Sequence, residues 1–567
     1  MNTAHTSARD TGRPNILILC IDQWDRHMKL PDDVQFPALE RLEAEGVSFD
    51  RQYCTVPICT PSRATMWTGV HAAQTGAYEN TNYGWIDGLS QDIPTIGHML
   101  REQGYYTACK GKWHLSWLEH SEDALEPYGF SDFQQWGEMY GSPLEGAKLD
   151  GTVAFETVDW LETKAPTLDQ PWLLVSSMVN PHDIMFYLSD PVEMPPPGGS
   201  MGPLKTPQQR LGWFDREWDV ELPDNLDDDL ELQPYGVHVY KESTDFNYGR
   251  VPDDRPDLWI RRRNYLVNCM RLVDAQFYKI LEAMDRQNLW QNTVVIFTGD
   301  HGEMNGAHRM MQKGAIHYDE AAIVNLTVCV PDGPRGERTA AVGSHLDLAP
   351  TLLEFAGLSE NEIQESYPHL KGRSLKSVIL NPQQDGPRGS ANNPGDGALF
   401  CWDSLGSLDF EYAKTGAFKA LSVMDLSPGN EFTDVEATLT EIGEEYGAPD
   451  FSKRAFFRAV VDGQYKLVRW FSPNEYGNPA TLEELYATGD VTLHDLVNDS
   501  GEMENIGNPE HPDHDPALVE RMLKKLHALV EQELGEDFPP FDLDIFGTRQ
   551  VMYDEPTTES KSGSRST

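Results

Sequence analysis

The stretch Asn15-Ile-Leu-Ile-Leu-Cys-Ile-Asp22 decides the fold, because an unbroken apolar run ends at a carboxylate. A parallel strand covered by helices on both faces has this pattern, and functional residues of such sheets lie at the carboxyl ends of the strands. Proline near the start and glycine at the end of segment 36–46 predict a helix directly afterwards. The two segments together predict the opening of an α/β domain.

The same pattern recurs along the chain. Apolar runs that end in polar, titratable residues occupy 105–114, 172–182 and 293–301. A helical period of apolar residues fills 266–284, just before the last of these runs. Strands that alternate with helices predict an α/β sheet with functional side chains at the strand ends.

Changes in composition along the chain predict its domain boundaries. We predict a catalytic domain over 1–380, which contains an irregular Pro-, Gly- and Asp-rich insertion at 183–258 that serves as a lid or a dimer contact. A Gly/Asn/Pro-rich linker is predicted at 381–397. A C-terminal α+β subdomain at 398–548 follows it, and the chain is predicted to end in a disordered tail at 549–567. Two apolar runs around Asp462-Gly463 predict a β-hairpin in that subdomain.

Composition excludes several functions and locations. The chain has 45 basic and 91 acidic residues, a net charge of −46, which disfavours nucleic acid and anionic membranes as partners. No apolar run is long enough for a membrane helix, and the polar N-terminus lacks the pattern of a signal peptide. Seven cysteines without paired spacing indicate reduced thiols. We therefore expect a cytoplasmic protein, with Arg261-Arg262-Arg263 as a solvated patch at a helix start.

The segment Cys59-Thr-Pro-Ser-Arg63 carries the functional hypothesis. Pro61 suits a first helical turn, which would place Cys59 where the helix dipole and free N–H groups favour negative charge. Arg63, four residues later, lies on the same face and can neutralise an oxyanion there. From these residues alone, a lone cysteine is more commonly a small buried apolar residue, and we interpret Cys20 and Cys109 in that way.

The segment resembles the signature of the formylglycine-dependent sulfatases of the alkaline phosphatase superfamily, C-x-P-S-R followed by Thr68-Gly69. Further motifs of that family follow in order over about residues 14–360, and they are Asp22-Gln23, Gly111-Lys112-Trp113-His114, Asn180-Pro181-His182, Gly299-Asp300-His301-Gly302 and Gln312-Lys313-Gly314. The resemblance implies a large mixed, mostly parallel sheet sandwiched by helices. It also implies a smaller C-terminal α+β domain that contains an antiparallel sheet.

The resemblance further implies that another enzyme, a formylglycine-generating enzyme, converts Cys59 to formylglycine (3-oxoalanine). The hydrated aldehyde attacks the sulfur of a sulfate monoester, the alcohol or phenol leaves, and expulsion of sulfate restores the aldehyde. The family pattern gives Arg63 and His114 contacts with the hydrated aldehyde, Lys112 and Lys313 the sulfate oxygens, and His182 the proton for the leaving oxygen.

Acid-plus-polar pairs at two strand ends predict a metal site. Asp22, Gln23, Asp300 and His301 can surround one divalent cation together with the group made from Cys59. Their oxygens favour Ca²⁺, whereas the imidazole makes Mn²⁺ the alternative.

Gln23 and His301 depart from the Asp and Asn that typical sulfatases carry at these positions, and they resemble choline sulfatases and phosphonate monoester hydrolases. A phosphonate monoester or phosphodiester hydrolase with sulfatase side activity therefore stays an alternative to a sulfatase that acts on small sulfate esters. A non-catalytic metal-binding scaffold with unconverted Cys59 is the alternative of another class. His308 and His317, on either side of Lys313, could line the pocket or be exposed, and a homodimer is expected from the size of the insertion.

Overall fold

The computed structural model describes residues 12–541 except 82, 84, 85, 87, 191–193, 195–211, 215, 390–392 and 416–442. The predicted tail at 549–567 lies outside the described residues, as do parts of the insertion and of the linker.

The described strands form a large and a small sheet. In chain order they are β1 (Asn15–Asp22), β2 (Val47–Tyr53), β3 (Tyr106–Gly111), β4 (Trp172–Pro181), β5 (Thr293–Gly299), β6 (Ile323–Val324), β7 (Leu326–Cys329), β8 (Glu337–Ser344), β9 (Ala398–Trp402), β10 (Phe456–Val461), β11 (Tyr465–Phe471) and β12 (Asp490–Asp495).

The described α-helices pack around these sheets. They are α1 (Pro37–Glu45), α2 (Cys59–Thr68), α3 (Ile96–Glu102), α4 (Glu145–Asp159), α5 (Tyr235–Tyr248), α6 (Pro256–Arg286), α7 (Asp319–Ala322), α8 (Leu348–Phe355), α9 (Glu360–Ser366), α10 (Lys376–Leu380), α11 (Phe410–Lys414), α12 (Leu482–Thr488) and α13 (Pro516–Leu529). Among the helices of the described ranges, none is both long and apolar enough to cross a bilayer.

The large sheet has the strand order β3-β4-β1-β5-β7-β2-β6, and β8 pairs with β2. The pairs β3–β4, β4–β1, β1–β5 and β2–β8 are parallel, whereas β7 and β6 run antiparallel to their neighbours. This mixed, mostly parallel sheet confirms the predicted fold class. Because β3, β4, β1 and β5 are adjacent and parallel, their carboxyl ends meet at one edge.

Alternation along β1 explains why its whole sequence is apolar. Ile16, Ile18 and Cys20 pack into a core shared with α2, α3 and α8 on one face of the sheet. The intervening leucines and isoleucine of β1 pack on the other face with α1, α4 and α6. A strand sandwiched in this way exposes neither face, so every side chain must be apolar until the strand ends.

The small sheet is antiparallel, in the order β12-β11-β10-β9. Its β10–β11 hairpin turns at Asp462 and Gly463, in agreement with the sequence prediction, and α13 packs on this sheet through Val519, Met522 and Leu526. The insertion at 183–258 is regular in part, because α5 lies within it.

The arginine run of α6 corrects one prediction. Arg262 and Arg263 are buried rather than solvated, with only 1% and 3% of their surface exposed. Arg262 is paired with Glu303 at 2.9 Å, and Arg263 lies 4.0 Å from Asp25. Burial of a guanidinium requires a carboxylate partner, and each arginine has one.

Candidate active site

The carboxyl ends of the four central parallel strands deliver the residues named by the sequence motifs. Strand β1 ends at Asp22-Gln23, β3 is followed by Lys112, β4 is followed by His182, and β5 is followed by Asp300-His301. The turn after β3 requires glycine: Gly111 has φ 88°, and a Cβ there would lie 1.9 Å from the Ser177 carbonyl oxygen. The fold therefore assembles the predicted site from segments that are far apart in sequence.

Cys59 begins α2 at the centre of this edge and is fully buried. Its Sγ lies 3.1 Å from His301 Nε2, 3.7 Å from Asp22 Oδ1 and 4.0 Å from Lys112 Nζ. A lone core cysteine would be surrounded by apolar side chains, whereas this sulfur has a carboxylate, an imidazole and an ammonium as neighbours. Cys20 and Cys109 are buried in the apolar core, as predicted.

Arg63 lies on the following turn of α2 and is also fully buried. Its Nε donates to Asp300 Oδ2 at 2.8 Å, and its Nη2 lies 3.2 Å from Asp22 Oδ2. Its Nη1 donates to Ser177 Oγ at 2.8 Å. Arg63 thus clamps the carboxylates of β1 and β5 against the first turn of α2, since a guanidinium can bind two partners at fixed angles.

Lys112 places a second buried cation beside the same carboxylate. Its Nζ lies 2.6 Å from Asp22 Oδ2, and both side chains are fully buried. Burial alone would raise the pKa of Asp22, but the charge of Lys112, foremost among its charged neighbours, holds that pKa well below its usual value. Asp22 is therefore ionised, and its negative charge is available to a cation.

Asp22, Cys59, Asp300 and His301 bring potential ligand atoms within 4.8 Å of one another. His301 Nε2 lies 3.5 Å from Asp22 Oδ1 and 3.7 Å from Asp300 Oδ1. Carboxylate oxygens and an imidazole nitrogen are donors that divalent cations use, so this cluster could hold one such ion.

Gln23 has a left-handed backbone, with φ 68°, and its N–H donates to Asp300 Oδ1 at 3.3 Å. Its side-chain amide has a fixed direction. Nε2 donates to Glu303 Oε2, whereas Oε1 accepts from Lys313 Nζ. The predicted ligand Gln23 and the predicted sulfate-binding Lys313 are thus in direct contact, 290 residues apart in sequence.

His114 and His182 are both buried, with 3% of their surface exposed. Their Nδ1 atoms have no hydrogen-bond partner among the described residues. Burial first, and then the charge of Lys112, lowers the pKa of His114 well below its usual value. Burial and the charge of Lys313 have the same effect on the pKa of His182. Both imidazoles are therefore neutral before an anion enters the site.

The structure adds residues that the sequence analysis missed. Glu303, two positions after His301, accepts from Arg262 Nη2 at 2.9 Å and from the Gln312 N–H at 2.9 Å. Its position directly after the motif that contains Asp300 and His301 could have indicated a role for Glu303. Its partner Arg262, however, lies on α6 in a segment that carries no recognisable motif. Together these groups orient the amide of Gln23.

His308 and His317 do not line this cluster, and neither is exposed. His308 Nδ1 lies 2.6 Å from Asp228 Oδ2. His317 lies against the small sheet, where its Nε2 is 3.4 Å from His494 Nε2.

Known proteins resemble this chain in sequence and in fold. The chain is 27% identical over 398 residues to the uncharacterized sulfatase YidJ of Escherichia coli strain K12, covering 65% of this chain and 73% of that protein. It is 25% identical over 410 residues to a choline-sulfatase of Rhizobium meliloti strain 1021, covering 66% and 73% of the two chains.

The fold is also similar to that of the phosphonate monoester hydrolase of Agrobacterium radiobacter, with a TM-score of 0.60 and 19% identity over 92% of this chain and 96% of that one. The family model named Sulfatase matches residues 14–358, which contain all the site residues described above. The chain belongs to the sulfatase family.

Proposed function

We propose that this protein hydrolyses small sulfate monoesters, releasing sulfate and an alcohol or phenol, with a nucleophile made from Cys59. The observation that carries the proposal is the set of three polar neighbours around the Cys59 sulfur: His301, Asp22 and Lys112. The family generally uses a metal ion and formylglycine. Formylglycine at position 59 would supply a hydrated aldehyde as the nucleophile, and a formylglycine-generating enzyme is its expected source.

A divalent ion held by Asp22, Gln23, Asp300 and His301 would supply positive charge for the sulfate oxygens. Ca²⁺ is the ion we propose, on the carboxylate and amide oxygen donors, and Mn²⁺ is the alternative because of the imidazole. Removal of metal by a chelator should abolish turnover, and return of Ca²⁺ should restore it more fully than return of Mn²⁺. Full turnover by metal-free protein would contradict this assignment.

We assign the remaining roles to side chains of the protein. Lys112 and Lys313 would bind the sulfate oxygens as ammonium donors, and Arg63 would hold the carboxylates and the nucleophile in place. His114 would hydrogen-bond the hydrated aldehyde or take its proton. His182 would protonate the leaving oxygen.

A neutral His182 keeps one N–H but is a much weaker acid than the imidazolium, so an increase in its pKa would make it a better proton donor. The charge of Lys313 contributes to its lowered pKa. A bound sulfate ester would offset that charge and raise the pKa of His182 again. On this proposal, the bound anionic substrate itself strengthens the proton donor.

The mass of the Cys59 peptide and the activity of two cysteine variants test the proposal. Protein from the native host should carry the aldehyde at position 59 and hydrolyse an aryl sulfate. Cys59→Ala should abolish hydrolysis and keep the fold. The matched control Cys54→Ala removes another buried thiol five residues earlier and should stay active. An unmodified thiol with no hydrolysis would instead favour the non-catalytic metal-binding scaffold.

Phosphonate monoesters and phosphodiesters remain the second candidate substrates, because Gln23 and His301 match that branch of the superfamily. The ratio of kcat/KM for an aryl sulfate and an aryl phosphonate monoester separates the two. A ratio in favour of the phosphonate would reassign the native reaction while leaving the site intact. The cytoplasmic location and the homodimer stay predictions, which cell fractionation and analytical ultracentrifugation would test.

A further inference from the structure

A second group of metal-binding side chains lies away from Cys59, where the loop after Lys313 meets the small sheet. It consists of His317, His494 in β12 and Glu502, whose potential ligand atoms all lie within 4.8 Å of one another. Both imidazoles are fully buried, and Glu502 is 1% exposed. We propose that these three residues bind a second divalent transition-metal ion, with Zn²⁺ as the fitting ion.

The imidazole separation is the first observation. His317 Nε2 and His494 Nε2 lie 3.4 Å apart. Two nitrogens bound to one tetrahedral zinc at 2.0–2.1 Å would be about 3.4 Å apart. The two nitrogens therefore lie at the separation that a shared ion requires, with no rearrangement of the rings.

The second observation is the support of His494 from outside the cluster. Its Nδ1 lies 3.1 Å from the Glu504 carbonyl oxygen, which can only accept a hydrogen bond. Nδ1 therefore carries a proton, and the neutral ring would direct the lone pair of Nε2 at His317. Metal-binding histidines are usually oriented in this way, by a hydrogen bond from the other ring nitrogen.

The third observation is the charge of the cluster. Glu502 Oε2 accepts from the Asp319 N–H at 2.6 Å, and Glu502 Oε1 is paired with Lys466 Nζ at 2.8 Å. Lys466 is shared, since it also pairs with Asp319 and donates to the His317 carbonyl at 3.0 Å. Asp499 adds another carboxylate 3.8 Å from His494 Nδ1.

In this cluster Asp319 and Glu502 thus share the single ammonium of Lys466, and a second cation would complete the neutralisation of the two carboxylates. A divalent ion on Glu502 Oε1 would supply that charge, while Lys466 keeps its contacts with Asp319 and the His317 carbonyl.

Ligand chemistry separates this site from the first one. Two imidazoles and one carboxylate suit zinc, whereas the Asp22 and Asp300 site is richer in oxygen and suits a hard ion. The position indicates a structural role: His317 lies four residues after Lys313, and His494 and Lys466 belong to the small sheet. An ion here would fasten the loop that carries Lys313 to that sheet.

The test uses the full chain with Cys59→Ala and His301→Ala, which remove the nitrogen and sulfur ligands of the first site. After chelation and dialysis against ZnCl₂, this protein should retain one zinc per chain by elemental analysis. X-ray absorption at the zinc edge should show two imidazoles and only nitrogen and oxygen ligands. Zinc should also raise its Tm.

Two further variants remove single ligands with little change of shape. His494→Asn keeps a donor for the Glu504 carbonyl, and Glu502→Gln keeps an acceptor for the Asp319 N–H. Each should lower zinc affinity by more than about tenfold and abolish the Tm increase. The control His120→Asn, a surface histidine, should change neither.

Absence of bound zinc in the parent would overturn the proposal, and so would zinc bound without two imidazoles, or zinc retained by both ligand variants. If one ligand variant fails to fold, zinc binding by the other still decides the question.

Discussion

Glu303→Gln should reverse the side-chain amide of Gln23, because the hydrogen bonds around Glu303 have only one consistent direction. Glu303 Oε1 accepts from Arg262 Nη2 and from the Gln312 N–H, while Oε2 accepts from Gln23 Nε2. A glutamine at 303 must keep its oxygen on the side of Arg262, so its NH₂ group faces Gln23. Gln23 then has to turn over to offer its oxygen, and Lys313 meets an NH₂ group instead of a carbonyl.

The cost follows from burial. Glu303 is fully buried, and its guanidinium partner is 1% exposed. Removal of one partner from a buried ion pair costs about 3–5 kcal/mol of unfolding free energy. If Gln23 is a metal ligand, loss of its orientation should also weaken metal binding by about 10–100-fold, the usual effect of removing a supporting hydrogen bond.

Calorimetric titration with Ca²⁺ and denaturant unfolding measure the two effects separately. The double variant Arg262→Met/Glu303→Gln also removes the guanidinium charge that Glu303→Gln leaves without a carboxylate partner. It should therefore recover part of the unfolding free energy but none of the metal affinity, because the amide of Gln23 stays reversed. Glu531→Gln, an exposed change of the same kind, should stay within about 0.5 kcal/mol of the unmodified protein. A Glu303→Gln protein with unchanged Ca²⁺ affinity and a loss below about 1 kcal/mol would refute the reasoning.

Three other predictions concern single residues. His182→Asn should slow hydrolysis of alkyl sulfates by about 10²-fold or more but that of an activated aryl sulfate much less, since a good leaving group needs little protonation; equal loss on both substrates would remove His182 from that role. Arg388→Met should lower the unfolding free energy by about 3–5 kcal/mol, because Arg388 pairs with Asp347 and Glu533 at 2.7 Å and all three are fully buried; denaturant unfolding with an unchanged midpoint would contradict it. Asp274 accepts from the N–H groups of α1, and burial raises its pKa to about 6. A raised pKa gives stability at low pH that is lost as pH rises, so unfolding free energy relative to Asp274→Asn should fall by about 2 kcal/mol between pH 4 and pH 7. A pH-independent difference would show that Asp274 titrates normally.

The sequence predicted the parts of the site that local pattern determines. The apolar run that ends at Asp22 is typical of a doubly covered strand, so Asp22 was predicted to lie at a sheet edge. The same argument placed His182 and Asp300 at the ends of β4 and β5. Parallel pairing of these strands then brought them together.

The rest depended on contacts between distant segments. Arg262 looked solvated because three consecutive arginines usually are, and only the fold shows that α6 directs it at Glu303. Helix α5 was missed because its sequence lacks a clear apolar stripe, although Val237, Val239 and Tyr240 are buried by neighbouring segments. Such burial comes from tertiary packing and not from local preference.

Because the protein has a net charge of −46, an anionic substrate depends on the few cationic side chains of the site, and these side chains already contact protein oxygens. Arg63 and Lys112 both face Asp22, and Lys313 faces the carbonyl oxygen of Gln23. An anion therefore competes with protein oxygens for the lysines. A divalent ion bound to Asp22 and Gln23 would occupy those oxygens and leave Lys112 and Lys313 available to sulfate. On the proposed function, metal and substrate should therefore bind with positive coupling, because each reduces the charge cost of the other.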